Sequence, residues 1–344
     1  MSTKIREDFA IFILSHGRAE KVYTLKTFLA DGYTGKWYII IDNEDEQIEE
    51  YKKNFGDEHV VVFDKLKKSL ECETCDIPRK RNAVIYARES CFEIAKNLGL
   101  KYFLELDDDY TAFSTRIEKN GILSKIYVQD MDAIINATLD FLIESNATCI
   151  AWAQEGDFMG GLESSMFKDR IQRKMMNSFF CCVDKPFNFI GRMNDDVNTY
   201  LLEGGRGTLF MTIADISVRQ NVTQKNNGGL TEMYQENGTY VKSFFSVMTN
   251  PSCVKVGEMG QFHKRMHHSV SWENAVPKII REDWKIKDDE EAPQTNREKN
   301  LDGIKEIVPD LSIIEMNESG IYLDDFITFD QMAMIVDYLR TKKT

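Results

Sequence analysis

The chain has 344 residues, 42% hydrophobic and 29% charged, enough to bury a full core in one large or two ordinary domains. Its net charge of −13 repels nucleic acid and anionic membranes on average, so contact with either needs a local basic patch or a metal. No stretch approaches the roughly 20 apolar residues of a membrane span, Met1 to Asp8 does not read as a secretory signal, and seven scattered cysteines point to a reducing compartment.

Phe9 to Leu14 reads as a short buried strand, followed by a helical stretch with Val22, Leu25, Phe28 and Leu29 on one face. Trp37 to Ile41 is a second strand, ending at Asp42, and His59 to Phe63 a third. An amphipathic helix is expected from about Arg79 to Leu98, where Ala83, Ala87, Cys91, Ile94 and Leu98 recur at spacings of three and four, with Gly99 as its stop. Tyr102 to Leu106 is a fourth strand that runs into three aspartates. This order predicts an α/β fold, with a mostly parallel sheet flanked by helices. Further on, Met131 to Ile143 reads as a helix, and Thr148 to Ala153, Asn177 to Val183 and Thr208 to Ala214 as strands. Gly257 to Trp272 reads as an ordered loop. A charged linker at 285–300 separates a main domain of 1–284 from a small C-terminal α/β appendage at 301–344.

In open α/β sheets ligands bind outside the carboxyl ends of the strands. Ser15-His16-Gly17-Arg18, Asp42-Asn43 and Asp107-Asp108-Asp109 all fall there. Residues two apart on an extended strand point the same way, so Asp107 and Asp109 are expected to face one ligand. Two hard carboxylates suit Mn²⁺ or Mg²⁺, which also binds diphosphate oxygens; a solvated acidic turn is the plainer alternative. Asp195-Asp196 precedes a helical Val197 to Leu202, which suits either a general base toward a hydroxyl or a helix cap. Phe262 to His268 holds three of the five histidines and is either a basic flap over a diphosphate or a surface loop. Arg79-Lys80-Arg81-Asn82, with Arg88 on the same face, suits phosphate or a solvated basic face. Lys168, Arg170, Arg173 and Lys174 form a second basic cluster, fit to guide an anionic acceptor such as DNA or to balance nearby acids. Cys72-Glu73-Thr74-Cys75 is a lone pair without a second one, so it reads as structural.

The ordered set of Ser15 to Arg18, Asp42, Arg79-x-Arg81-Asn82 and Leu106 to Asp109 resembles the GT-A (Rossmann-like) glycosyltransferase layout. With Phe189 to Val197 and the His-rich stretch, it resembles the GT-A family associated with TET/JBP oxygenases, found in phages and related to the proposed base J glucosyltransferase. The resemblance spans roughly residues 9–284. It implies a nucleotide-sugar donor of the UDP-sugar kind, a Mn²⁺ or Mg²⁺ ion, and as acceptor the hydroxyl of a 5-hydroxymethylpyrimidine, such as hydroxymethylcytosine, in DNA. By the same resemblance, Ser15, Gly17, Arg18, Asp42, Arg79, Arg81, Asp107, Asp108 and Lys264 line the donor site, and Asp107, Asp109, His263 and His267 hold the metal. Asp196 is the base, with Asp195 as the other member of the pair, here Asp-Asp rather than the commoner Glu-Asp. A cytoplasmic setting, the host's if phage-encoded, and no membrane partner follow. A base in duplex DNA has to be flipped out, and Trp152, Phe158 or Trp272 are candidates to stack on it. The acidic balance keeps a polysaccharide, lipid or protein acceptor open as the rival, and a non-catalytic sugar-nucleotide or DNA-binding module as a second.

Overall fold

The computed structural model describes residues 4–76, 81–169, 175–221, 240–259, 264–275, 303–304, 306–308, 314–317, 320–323 and 328–342. Phe9–Leu14 (β1) is an unbroken apolar run buried along its whole length, as a strand covered on both faces must be. It pairs in parallel with Lys36–Asp42 (β2) on one side and Tyr102–Asp107 (β4) on the other, and Val60–Phe63 (β3) extends β2. The crossovers are helices: Tyr23–Ala30 (α1), Ile48–Phe55 (α2), Lys65–Glu71 (α3) and Ile85–Asn97 (α4). The expected start of α4 at Arg79 is too early. Arg81 to Ala83 are non-helical, and Arg81 is drawn away to Glu44 in the loop after β2. Gly99 stops α4 as its position suggested, with φ +68.

The second half departs from the parallel pattern. Its strands are Tyr110–Lys119 (β5), Ile122–Tyr127 (β6), Cys149–Gln154 (β7), Ser178–Cys182 (β8) and Phe210–Gln220 (β9), in one nine-stranded sheet of order β3-β2-β1-β4-β8-β7-β9-β5-β6. β8 lies antiparallel between β4 and β7, and β5 is antiparallel to both β9 and β6, while β7 and β9 pair in parallel, so the expected helix-flanked α/β sheet is parallel in its first half and mixed in its second. After Asp107 the chain turns within two residues into β5, which pairs not with β4 but with β9 and β6 at the far end of the sheet.

The sheet separates two apolar cores. The first joins Ile11, Leu104, Leu106, Phe113 and Trp152 to α1 and to Met131–Glu144 (α5). The second joins Phe12, Phe103, Cys149 and Cys181 to α4 and to Asp195–Gly205 (α7). Ser165–Asp169 (α6) lies beyond β7. Tyr240–Thr249 (α8) packs on Val254–Met259 (β10) and Arg265–Val270 (β11), and Trp272–Ala275 (α9) follows. β10 and β11 form an antiparallel hairpin with Val254 opposite Val270 and Met259 opposite Arg265, so the expected loop over Gly257 to Trp272 is a ribbon. Toward the C-terminus, Ile314–Asn317 (β12) pairs with Gly320–Leu323 (β13). Phe329–Lys342 (α10) packs against α5 and adds Met332 to the first core. Residues 285–300, the expected linker, lie outside the described residues.

Candidate active site

Three strand ends and one helix start meet at the carboxyl edge of β1, β2 and β4. Ser15 and Arg18 leave β1 and turn onto Asp108, which is buried: Ser15 Oγ donates to its Oδ2 at 2.5 Å and Arg18 Nη1 to its Oδ1 at 2.7 Å. Burial pushes the Asp108 carboxyl up, with Arg18 opposing. The Tyr51 hydroxyl, on α2, accepts from the Arg18 backbone N–H and lies 2.7 Å from Ser15 Oγ. Gly17 sits at φ +63, where a side chain would be strained, and its N–H donates to Asp45. These expected donor-site residues thus converge, but Asp108 spends both oxygens on bracing the loop.

Asp42 is also internally engaged. It accepts from Lys65 Nζ at 3.2 Å, from His16 Nδ1 at 2.8 Å and from the Glu44 N–H at 3.0 Å. Burial alone would raise its carboxyl, but His16 and Lys65 outweigh it and hold the group below the usual range. His16, half-exposed, is raised in turn by that bond.

Asp107 ends β4, while Asp108 and Asp109 form the turn into β5. The alternation expected for Asp107 and Asp109 on one strand is therefore absent, because the strand stops two residues short of Asp109. Asp109 Oδ1 is nonetheless a buried oxygen with no hydrogen-bond partner among the described residues. Burial, then repulsion from Asp107 and Asp108, pushes its carboxyl up to about 7. A buried carboxylate oxygen beside a second carboxylate is hard-donor chemistry, and the oxygens of Asp107 and Asp109 fit Mn²⁺ or Mg²⁺. Among the described residues no three His, Cys, Asp or Glu side chains form a preformed cage.

The acidic pair opens α7. Asn194 holds φ +52 and makes no side-chain cap bond, so Asp195 is not the helix cap. Asp195 instead accepts from Arg88 Nη1 at 2.7 Å, and burial, opposed by Arg88, pushes its carboxyl up to about 6. Asp196 accepts only the N–H of Val197 at 2.8 Å among the described contacts.

The phosphate-facing or solvated helix face expected for Arg88 is corrected by the structure. Arg88 is 4% exposed, reaches Asp195, Asp107 (3.4 Å) and Glu105 (3.3 Å), and lies over the rings of Phe179 and Phe189. Glu105, buried beneath it, is pushed up to about 8 by burial, with Arg88 opposing. The stripe read from the sequence, Ala83 to Leu98, leaves Arg88 to one side, so periodicity alone does not mark its burial.

The basic stretch after β10 is only partly described. His263 lies outside the described residues, as does Arg79. Lys264 is exposed and pairs with Glu258 across the hairpin at 2.8 Å. His267 Nδ1 faces the carbonyl of His268. It is His268 that adjoins the acidic pair: Asn194 Nδ2 donates to its Nδ1 at 3.4 Å, and burial pushes its imidazole down to about 4. Of the second basic cluster, Lys168 pairs with Glu163, and Arg170, Arg173 and Lys174 lie outside the described residues.

Two further expectations are settled by burial. Trp152 is fully buried in the first core and Phe158 lies under Arg116, so neither is free to stack on a base; Trp272 packs edge-on against Tyr200. Cys72 and Cys75 are free thiols that burial raises to about 12 and about 11. Their segment is scaffold: the Gly191 N–H donates to the Glu73 carbonyl at 2.8 Å, fixing the approach to the acidic pair.

With this geometry in hand, comparisons place the chain. No curated protein matches it. Solved structures with partial likeness include Staphylococcus aureus TarS 1–349, at 12% identity and a TM-score of 0.39, over 71% of this chain and 65% of that one. Another is the glucosyl-3-phosphoglycerate synthase from Mycobacterium tuberculosis crystallised with Mg²⁺ and uridine diphosphate, at 7% identity and 0.41, over 77% of this chain and 88% of that one. The TET-associated glycosyltransferase family matches residues 9–229 of the 344, a span that holds β1, the Asp107 to Asp109 turn and the Asp195-Asp196 pair. The chain belongs to the TET-associated glycosyltransferases.

Proposed function

We propose that this glycosyltransferase moves a sugar from a UDP-sugar to the hydroxyl of a 5-hydroxymethylpyrimidine in DNA, with Mn²⁺ or Mg²⁺ at Asp107 and Asp109. The buried Asp109 Oδ1 beside Asp107, without a partner among the described residues, carries the metal and donor part of the reading. The family carries the acceptor part. A divalent cation bound there supplies charge neutralisation to the leaving diphosphate. Among the described residues no third carboxylate, histidine or cysteine joins Asp107 and Asp109, and diphosphate oxygens of the donor would complete the ion's shell.

The chain's own residues divide the remaining work. Asp108, Ser15, Arg18 and Tyr51 set the loop after β1 against which the nucleotide lies. Arg88 fixes Asp195, which leaves Asp196 as the carboxylate able to accept the proton of an attacking hydroxyl. His268, neutral at physiological pH, stands behind the same turn.

The test is incubation of the full chain with hydroxymethylated DNA, Mn²⁺ and a panel of nucleotide sugars, followed by nucleoside mass spectrometry. The expected result is a hexose or pentose mass gain on the modified pyrimidine. Donor hydrolysis without any mass gain on DNA overturns the acceptor and leaves the transferase.

A further inference from the structure

A chain of net charge −13 has to hold a polyanion somewhere if DNA is its acceptor, and the far end of the sheet offers the means. Register places Tyr127 opposite Ser114, Lys125 opposite Arg116, Ser217 opposite Ser114 and Arg219 opposite Ala112. Arg116, Lys125, Tyr127 and Arg219 therefore share one face of β9, β5 and β6. Phe113, on the opposite face of β5, belongs to the first core. The same alternation on β4 sends Leu104 and Leu106 to that core and leaves Glu105 and Asp107 on the other side. The four residues thus stand on the reaction-centre side of the sheet. Asn221, two residues after Arg219, donates its N–H to the Asp109 carbonyl at 3.1 Å, which ties this patch to the aspartate turn.

Three cations share one carboxylate there. Arg116 and Arg219 approach Glu155 at 3.6 and 3.1 Å, and Lys125 pairs with it as well. Lys125 Nζ and Arg219 Cζ flank the Tyr127 ring at 5.3 and 5.7 Å, and Arg219 Nη2 donates to its hydroxyl at 2.7 Å. Tyr127 is 52% exposed, beside exposed Ile126. Glu118, farther along β5, receives the Gly121 N–H. Surplus positive charge around an exposed, cation-braced aromatic ring is the chemistry that grips phosphates and stacks a base.

We propose that Arg116, Lys125, Tyr127 and Arg219 form the docking surface for the sugar-phosphate strand of the polynucleotide acceptor, with Tyr127 stacking on a base. This rests on the DNA acceptor of the preceding subsection. The test uses a labelled hydroxymethylated oligonucleotide, anisotropy across a salt series, and steady-state kinetics on the full chain. A Lys125→Gln/Arg219→Gln double variant is expected to raise KM for DNA about tenfold and flatten the log-log salt slope by about two. Its kcat, donor KM and melting temperature stay at the wild-type values. Tyr127→Ala weakens DNA binding with the salt slope unchanged, and Glu155→Gln tightens it. Wild-type DNA KM in the double variant, with the wild type active on DNA, overturns the patch and spares the function. No DNA binding by the wild type removes both. Equal competition by polyphosphate, with Tyr127→Ala silent, assigns the patch to a non-nucleic polyanion and overturns the proposal.

Discussion

At Asp109 the chemistry turns on a single proton. Its carboxyl is held near 7 by burial and by two neighbouring aspartates, against 3.8 for an unperturbed side chain. Across that window the folded chain binds more protons than the unfolded one, so the metal-free protein loses stability as pH rises from about 4 to about 7. The loss amounts to a few kcal/mol at most, since a tenfold change in proton affinity is worth about 1.4 kcal/mol. Asn cannot ionise, so Asp109→Asn is expected to melt above the metal-free wild type at pH 8 and alongside it near pH 4. Mn²⁺ reverses the order at pH 8, stabilising the wild type and not the variant, and glycosyl transfer by the variant is lost. Equal stabilisation of both by Mn²⁺ at pH 8 sinks the metal assignment. Much of this was legible in sequence, since three aspartates after a buried run mark a ligand edge. Their division of labour was not, because it depends on Ser15 and Arg18, some ninety positions away, claiming Asp108.

Between elements, the decisive contact is Arg88. One guanidinium on α4 holds the end of β4 through Asp107 and Glu105 and the start of α7 through Asp195, so two motifs separated by dozens of residues share a rigid reference. Removing the cation strands buried carboxylates. Arg88→Met is therefore expected to lower unfolding free energy by about 3–5 kcal/mol in urea titrations, and Arg88→Lys by less, having lost the planar fork but kept the charge. Glu105→Gln should cost little, because Glu105 is already held protonated near neutrality. A near-neutral Arg88→Met, or a Glu105→Gln as costly as it, would contradict this account. Sequence periodicity finds α4 but gives Arg88 to its polar side. An arginine counts as polar in any pattern, and only the opposing carboxylates show why it is buried. The β10–β11 ribbon escaped for a related reason: its His, Lys and Arg content reads as loop, while strand pairing is set by backbone partners that composition does not record.

Over the whole molecule, the alternation of the first four strands with helices was readable because each crossover is a local strand-helix-strand event, whereas the pairing of β4 with β1 and the insertion of β8 between β4 and β7 are long-range. The same scale decides the standing of residues 301–344. Composition separates them as an appendage behind a charged linker, yet Met332, Ile335 and Val336 on α10 are buried, and α10 packs on α5. Each such side chain contributes roughly 1.5–3 kcal/mol when fully buried, less the burial already present in the unfolded chain. Cutting the chain after residue 300 would therefore expose an apolar stripe of α5 on the face remote from α4 and α7. The truncated protein is expected to melt several degrees lower and to associate at micromolar concentration, while binding Mn²⁺ and donor as the full chain does, since α10 packs on α5 in the first core and Glu105 and Asp107 lie on the other side of the sheet. Calorimetry with light scattering measures the first effect and donor titration the second. An unchanged melting temperature would make 301–344 an independent module; loss of donor binding would make α10 a support of the site through α5 and the sheet.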